Sequence, residues 1–409
     1  MTDDEPITAD ADHAEVTVID TREGYLAATE ALAAGTGPFA VDAERASGFR
    51  YSQRAYLIQV FRRGSGAFLF DPPAIGDFTE LAQVMRDEEW LLHAASQDLA
   101  CLREVGLDPQ RVFDTELGAR IAGLPRVGLA TVAEELLGVH LAKAHSAADW
   151  STRPLPQGWL IYAALDVELL PDLRDRIAEL LEAGGKTEIA RQEFAAVLER
   201  QAPVRHEPWR RLSGMHSLRS PRQLAVARSL WTARDTLAQE LDTAPGRLVP
   251  DLSLVAVAKA MPATKRDLAA LKEFTGRASR REIDRWWAAV EAGIADQDPP
   301  SMRGTGDGVP APRLWADKNP EADRRLKLAR AAVTERAEAL AIPLENILTP
   351  ETLRRLAWAP PTEPTAETVA AALLEHDARP WQVEELSGII ADAFVEARQP
   401  SAPAPGEVS

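Results

Sequence analysis

The sequence predicts a mixed α/β domain followed by two all-α domains. Three strand-like runs lie close together at residues 39–44, 55–62 and 67–71, and helix, strand and helix then alternate up to about residue 183. From about residue 208 the strand signals stop, and short helical patterns separated by Pro or Gly continue in two blocks. Strands followed by β–α alternation favour a mixed sheet covered by helices, whereas helices alone favour separate helical domains.

The first domain is expected to span residues 15–205, after an acidic, polar leader at 1–14 that we expect to be disordered. A strand is predicted at 16–20 and a helix at 22–34. Ser47-Gly48 and Gly64-Ser65-Gly66 separate the three strand-like runs, which therefore read as an antiparallel meander. A short buried strand is predicted at 90–94, and Ser96 is the expected N-cap of a helix at 96–105. Further helices are predicted at 78–86, 129–137 and 160–183.

The two helical blocks are predicted to be two copies of one fold. The first spans 208–295, with helices at 221–241, 252–260, 265–271 and 280–292. A Pro- and Gly-rich linker is expected at 296–317. The second block spans 318–397, with helices at 319–341, 350–356, 365–376 and 380–398, and a disordered tail is expected at 398–409. Both blocks place a prolyl turn before a short helix, so the second is interpreted as a diverged copy of the first.

The composition is that of a globular protein, with 45% hydrophobic and 27% charged residues among 409. No apolar run approaches the roughly 20 residues needed to span a bilayer, and the N-terminus lacks a basic, apolar signal region. Cys101 is the one cysteine, which excludes an internal disulfide and a multi-cysteine zinc site. We therefore expect a cytoplasmic protein without membrane contact or disulfides.

The charge is distributed unevenly. Residues 208–291 contain 15 Lys and Arg against 9 Asp and Glu, a net charge of +6 within a total of −17, which leaves −23 for the remainder. A basic module joined to an acidic one is typical of a carboxylate-rich catalytic domain with a separate polyanion-binding domain. Ordinary scatter of charge is the alternative.

Five residues in three stretches carry the chemical signal. Asp42 and Glu44 are two apart on a predicted strand and face the same side, while Tyr162 and Asp166 are four apart on a predicted helix. Asp98 follows the strand predicted at 90–94. Gathering such carboxylates costs repulsion unless a cation lies among them, and hard oxygen ligands favour Mg²⁺ or Mn²⁺. A pair of these ions is a known device for cleaving phosphodiesters. The structural alternatives are a solvated strand face, a helix-start charge at Asp98 and core packing of Tyr162.

The same stretches support a resemblance. V-D-A-E, H-A-A-S-Q-D-L and I-Y-A-A-L-D-V resemble the three exonuclease motifs of the DEDD family, in its tyrosine subgroup. A-D-W-S-T-R-P-L resembles ribonuclease D, and the text from P-W-R-R-L-S-G to L-W-T-A-R-D resembles the HRDC domain that follows the nuclease in that family. The resemblance covers roughly residues 16–295, and residues 318–396 more weakly.

The resemblance implies a ribonuclease H-like fold and a two-metal 3′→5′ exonuclease that releases nucleoside 5′-monophosphates. Asp42 would bridge two Mg²⁺ or Mn²⁺ ions, Glu44 and Asp166 would bind the ion nearer the attacking water, and Asp98 would hold the second. Tyr162 would orient the attacking water. The expected substrate is RNA with a single-stranded 3′ end, tRNA precursors in particular, and the expected form is a monomer.

Contacts with RNA are predicted from nine further residues. Near the motifs, His93 could touch the substrate or pack, Arg50 and Tyr51 could meet phosphates and bases or form a solvated hairpin, and three residues match the ribonuclease D text. The nine are His93, Arg50, Tyr51, Asp149, Trp150, Arg153, Arg210, Arg211 and Arg222. Arg153 could counter a phosphate or buttress Asp149, and Arg210, Arg211 and Arg222 in the first helical block could contact the RNA backbone.

Two other functions share the motifs. A DNA exonuclease would use the same three motifs, and an RNA-binding protein with a degenerate core would retain the fold without the activity. The ribonuclease D text and the appended helical blocks favour RNA, and the presence of all five motif residues favours an enzyme. Arg45 stands where the family often has an apolar or aromatic residue. The acidic second helical block is poorly suited to RNA and could be a scaffold, a lid or a contact for another protein.

Overall fold

The computed structural model describes residues 7–8, 16–141, 147–200, 206–304 and 309–399. Apart from residues 7–8 and 398–399, the leader and tail that are predicted to be disordered lie outside these residues. Ile7–Thr8 form strand β1, which pairs in parallel with strand β8, Val139–His140. The prediction of disorder is therefore wrong for these two leader residues.

A six-stranded mixed sheet forms the centre of the first domain. Its strands are β2 Val18–Ile19, β3 Thr36–Arg45, β4 Ala55–Arg63, β5 Gly66–Phe70, β6 Glu89–Leu92 and β7 Arg111–Asp114. Their order is β2-β5-β4-β3-β6-β7. The pairs β3–β4 and β4–β5 are antiparallel, which confirms the predicted meander, and the other three pairs are parallel. The predicted mixed α/β architecture is confirmed, and β3 lies inside the sheet, between β4 and β6.

Nine helices accompany this sheet within the described residues. They are α1 Arg22–Ala34, α2 Pro72–Ile75, α3 Thr79–Met85, α4 Leu99–Glu104, α5 Thr115–Ala122, α6 Leu129–Leu137, α7 Gln157–Glu168, α8 Leu170–Ala183 and α9 Thr187–Glu199. Helices α1 and α6 have the predicted bounds because their ends carry local signals. The Thr21 hydroxyl accepts a hydrogen bond from the Gly24 amide, and Gly138 ends α6 in the left-handed conformation.

Other helix predictions require correction. The single helix predicted at 160–183 is two helices that meet at Leu169, with Pro171 in the first turn of α8. Ser96 is not an N-cap, because Ala95–Gln97 form a 3₁₀ turn and α4 begins after Asp98. Strand β7 and helices α5 and α9 were not predicted from the sequence.

Two helical blocks follow. The first contains α10 Pro221–Glu240, α11 Pro245–Leu248, α12 Asp251–Ala260, α13 Lys265–Ala270, α14 Arg277–Arg281 and α15 Ile283–Ala295. The second contains α16 Trp315–Lys318, α17 Pro320–Leu340, α18 Leu344–Ile347, α19 Pro350–Trp358, α20 Ala366–Leu374 and α21 Pro380–Ala397. In both, a long helix precedes a single-turn helix. The predicted linker is partly ordered, because α16 buries Trp315 against Trp358.

The two helical blocks pack differently. The first has a hydrophobic core of its own, whereas the buried residues of the second are continuous with those of the first domain. At that shared boundary Glu193 on α9, 6% exposed, accepts hydrogen bonds from the Arg379 guanidinium at 2.6 and 2.9 Å and from Trp381 Nε1 at 2.7 Å. The second block is therefore built onto the first domain. Among the described residues, no helix is long and apolar enough to cross a membrane.

Candidate metal-binding active site

The topology brings the predicted carboxylates to one edge of the sheet. Asp42 and Glu44 lie near the end of β3, and Asp98 follows β6. Because β3 and β6 are parallel neighbours, their carboxyl ends lie at the same edge, where ligands commonly bind in α/β sheets. Helix α7 packs across β3, β4 and β5 and carries Tyr162 and Asp166 one turn apart.

All five predicted motif residues line one cleft of about 420 Å³. Carboxylate oxygens of Asp42, Glu44 and Asp166 lie within 4.8 Å of one another. Glu44, Asp98 and Asp166 are buried, and Asp42 is partly exposed. The geometry therefore places three carboxylates close enough to share a cation, with a fourth on the same cleft wall.

The carboxylates resist ionisation when no cation is present. Burial raises the pKa of Glu44 to about 9, and the neighbouring Asp42, Asp166 and Asp98 carboxylates add to the shift. The pKa values of Asp42, Asp98 and Asp166 are also raised, first of all by burial. The Arg45 guanidinium, 3.9 Å from Asp98 Oδ1, lowers the pKa of Asp98 but does not cancel the shift. Four hard oxygen donors with this excess of negative charge fit Mg²⁺ or Mn²⁺.

Tyr162 is placed to act as a neutral hydroxyl. Its side chain hydrogen-bonds with the Asp166 carboxylate, and burial together with the Asp166 charge raises the pKa of the phenol. The phenol therefore keeps its proton at neutral pH. Its hydroxyl can donate to a carboxylate and also accept from a water molecule in the cleft.

His93 also lines the cleft. Its Nδ1 is 2.9 Å from Thr115 Oγ1, and burial lowers the pKa of the imidazole to about 4. The ring is therefore neutral at physiological pH. It can form a hydrogen bond in the cleft, but it does not supply a positive charge to a phosphate.

Asp114, which was not predicted from the sequence, shapes the turn before Asp98. Its carboxylate accepts from the Ala94 and Ala95 amides at 3.0 and 2.8 Å, while Ala94 adopts a left-handed conformation with φ of 63°. The same carboxylate caps α5 by accepting from the Glu116 and Leu117 amides. The sequence D-T-E-L, with Asp114 at its start, is typical of a helix N-cap and could have predicted this role.

Gln59 is a second missed residue. It lies opposite Asp42 in the β3–β4 ladder, so both side chains project from the same face of the sheet. It is fully buried, and neither amide atom has a hydrogen-bond partner among the described residues. The feature of the sequence that could have indicated Gln59 is its position as the one polar residue in the apolar run L-I-Q-V-F.

The structure corrects the predicted substrate contacts before α7. Trp150 is fully buried and packs on Trp159 at a ring-centroid distance of 5.2 Å, so the prediction that it contacts RNA is wrong. Arg153 Nε donates to Asp71 Oδ2 at 2.6 Å, so Arg153 does not buttress Asp149. Asp149 instead accepts from the amide and hydroxyl of Ser151 at 3.2 and 2.5 Å.

Several other predicted contacts are already engaged within the protein. The Tyr51 hydroxyl bonds with Asp235 at 3.1 Å, which argues against its predicted stacking on bases, and Arg50 Nε donates to Ser151 Oγ at 2.8 Å. Arg210 pairs with Glu207 and lies over the Trp209 ring, and Arg222 donates to the Asp296 carbonyl. Arg211 is exposed, and its contact with RNA stays a prediction.

The fold and the acidic cleft place this chain in the class of proteins with a 3′–5′ exonuclease domain. The family described as "3'-5' exonuclease" matches residues 16–182, the HRDC domain family matches 223–290, and the family described as "3' to 5' exonuclease C-terminal domain" matches 308–394. That the second helical block is a diverged copy of the first stays a prediction.

The curated relatives specify the family. Ribonuclease D of Escherichia coli K12 is 31% identical over 323 residues, which cover 78% of this chain and 83% of that protein. This chain belongs to the ribonuclease D family. Ribonuclease D of Granulibacter bethesdensis is 36% identical over 234 residues, and the alignment spans 55% of this chain and 58% of that relative's length.

Solved structures agree over nearly the whole chain. A protein from Bifidobacterium adolescentis superposes with a TM-score of 0.86 at 37% identity, covering 93% of this chain and 97% of that one. Ribonuclease D of Escherichia coli, described as an exoribonuclease involved in structured RNA processing, gives a TM-score of 0.69 at 26% identity, covering 94% and 100%. The predicted ribonuclease H-like exonuclease fold with appended helical domains is confirmed.

Proposed function

We propose that this protein is a metal-dependent 3′→5′ exoribonuclease that removes nucleoside 5′-monophosphates from RNA. The observation that carries the proposal is the cluster of Asp42, Glu44 and Asp166, whose oxygens lie within 4.8 Å of one another in a cleft. Such a cluster requires a cation to be stable when ionised. Membership of the ribonuclease D family supports RNA as the substrate.

The residues of the cleft would have different roles in hydrolysis. Asp42, Glu44, Asp98 and Asp166 would hold two Mg²⁺ or Mn²⁺ ions. Bound divalent ions would activate the attacking water and stabilise the oxygen that departs from the ribose. Tyr162, held by Asp166, would orient that water through its hydroxyl. No side chain needs to act as a nucleophile.

The cleft dimensions favour attack at a chain end. A volume of about 420 Å³ is at the small end of ligand pockets and suits a terminal nucleotide better than a duplex. We infer that the substrate is RNA with a single-stranded 3′ end, tRNA precursors being the expected class. The relative described as acting in structured RNA processing supports this inference. We expect the protein to act as a monomer in the cytoplasm.

Digestion of matched RNA and DNA oligonucleotides labelled at the 5′ end tests the proposal. Each would be incubated with Mg²⁺, Mn²⁺ or EDTA, using the wild-type protein, Asp42→Asn and the surface control Glu30→Gln. We expect a descending ladder on RNA that is lost in EDTA and in Asp42→Asn and kept in Glu30→Gln. A ladder mainly on DNA would overturn the choice of substrate, and RNA binding without cleavage would overturn the enzymatic role.

A further inference from the structure

The first helical block contacts the loop that leaves the catalytic strand. This loop, residues 46–54, joins β3 to β4 directly after Glu44 and Arg45. Its residues Ser47 and Gly48 line the same cleft as the carboxylates. The turn between α10 and α11, together with α11 itself, lies against the loop. A helical domain remote in sequence therefore reaches the wall of the nuclease cleft.

Arg247 on α11 makes the most direct connection. Its Nε donates to the Gly48 carbonyl at 2.7 Å, and its guanidinium lies 3.8 Å from the centroid of the Phe49 ring. The Ala244 amide donates to the Phe49 carbonyl at 3.0 Å. One guanidinium thus combines a charge-assisted hydrogen bond to the cleft-lining Gly48 with a cation–π contact to the adjacent Phe49.

Asp242, in the turn before α11, holds the far end of the same loop. Its carboxylate accepts from the Ser52 amide at 2.9 Å and from the Tyr56 hydroxyl at 3.3 Å, and it lies 3.7 Å from Arg54. Its φ of 42° lies in the left-handed region, which is uncommon for a residue other than glycine. The turn therefore adopts an unfavourable backbone conformation while presenting this carboxylate to the loop.

The loop is also tied to the segment before α7. Arg50 Nε donates to Ser151 Oγ at 2.8 Å, and that hydroxyl donates to Asp149 Oδ1 at 2.5 Å. Helix α7, which follows this segment, carries Tyr162 and Asp166. The loop consequently connects three bodies: the strand with Asp42 and Glu44, the segment that leads to α7, and the first helical block.

We propose that Arg247 and Asp242 are positioning residues of the nuclease site. They hold loop 46–54 so that Ser47 and Gly48 form the cleft wall against which the RNA 3′ end is aligned. This inference rests on the proposed exoribonuclease activity and extends the role of the first helical block from binding RNA to shaping the site. A small displacement of such a wall slows a reaction because the reacting groups lose their alignment, and a misplacement of about 1 Å can cost about a hundredfold in rate.

The experiment uses the full-length chain with Arg247→Met and Asp242→Asn. Lys272→Met and Glu273→Gln, exposed on the same helical block, remove matched charges that form no hydrogen bond or ion pair with the loop among the described residues. We would measure kcat and KM on a trinucleotide RNA, whose contacts are concentrated at the cleft, and on a long single-stranded RNA. Amide hydrogen exchange of residues 46–54 provides a readout that does not depend on activity, and thermal unfolding confirms that each variant is folded.

We expect both loop variants to lose about tenfold in kcat on the trinucleotide and to exchange the amides of loop 46–54 faster, with both controls unchanged. Unchanged trinucleotide kcat with weaker binding of the long RNA alone would overturn the inference, because the block would then act only in RNA affinity. Faster exchange of the loop without any change in kcat would also overturn it. If the wild-type protein hydrolyses no RNA while its loop is protected, the proposed function fails and the loop contact stands as a structural one.

Discussion

Replacing Glu44 by Gln should stabilise the metal-free protein while it abolishes metal-dependent hydrolysis. Burial and three neighbouring carboxylates raise the pKa of Glu44 from 4.5 to about 9. At pH 7 the side chain is ionised in the unfolded chain and protonated in the folded one, which costs about 3 kcal/mol at about 1.4 kcal/mol per pH unit.

The sign of the pH dependence follows from the raised pKa. Below pH 4.5, the pKa of Glu44 in the unfolded chain, this residue does not reduce stability. Its cost in free energy of unfolding grows as the pH rises towards about 9, the pKa of Glu44 in the folded protein. In EDTA, the stability gained by Glu44→Gln should therefore increase between about pH 5 and pH 9. At pH 7 a gain of about 3 kcal/mol corresponds to a rise of roughly 6–12 °C in Tm for a domain of this size.

Thermal unfolding in EDTA and in Mg²⁺ measures both effects. Mg²⁺ should raise the Tm of the wild-type protein, because an ion that binds only the folded state stabilises it, and should raise that of Glu44→Gln much less. Glu30→Gln, at an exposed position on α1, is the matched control and should behave as wild type. If the Tm of Glu44→Gln in EDTA were equal to or below that of the wild type, the argument that burial and neighbouring carboxylates disfavour ionised Glu44 would be refuted.

Three further predictions concern other buried groups. Burial lowers the pKa of His93 from 6.5 to about 4, so the stability that the neutral imidazole contributes above pH 6.5 is lost as the pH falls. His93→Asn should therefore reduce the loss of stability between pH 7 and pH 5 by about 2 kcal/mol, measured by urea unfolding. Gln59→Met should stabilise the protein in EDTA by about 1–3 kcal/mol, since the buried amide has no partner among the described residues. Arg379→Met should destabilise the protein by about 3 kcal/mol, because it leaves the Glu193 carboxylate buried with Trp381 as its remaining donor, and Glu193→Gln in the same chain should recover part of the loss.

Each of these has a clear contrary result. An unchanged pH profile in His93→Asn would mean that the imidazole ionises in the folded state. A destabilised Gln59→Met would show that the amide has a partner, such as a buried water. Equal stability of Arg379→Met and the wild type would mean that the ion pair does not hold the second helical block to the first domain.

The sequence predicts an element well where its ends carry local signals. Helix α1 was placed correctly because Thr21 and Gly35 bound it. Strand β7 was missed because Val112 and Phe113 are its only two apolar residues, too few for a recognisable alternation. The division between α7 and α8 was missed although Pro171 marked it, because the apolar pattern continues through Leu169.

The site shows the same division between local and long-range information. Asp42 with Glu44, and Tyr162 with Asp166, follow from strand and helix periods, and the sheet order then brings them together. The partners of Tyr51 and Trp150 could not be predicted in this way. Tyr51 meets Asp235, 184 residues away in sequence, and Trp150 packs in a core formed with β4 and α7. Both outcomes depend on how distant parts of the chain pack.

The continuity between the first domain and the second helical block has a consequence for how the chain folds during synthesis. The block that shares the first domain's core is made after the first helical block, and Arg379 and Trp381 reach Glu193 only once α21 has been translated. The first helical block, with its separate core, can fold as soon as it leaves the ribosome. The apolar surface around α9 therefore remains exposed to chaperones and to aggregation until α21 has been synthesised and has packed against it. Truncations near the C-terminus should lower the yield of folded nuclease more than their distance from the cleft suggests.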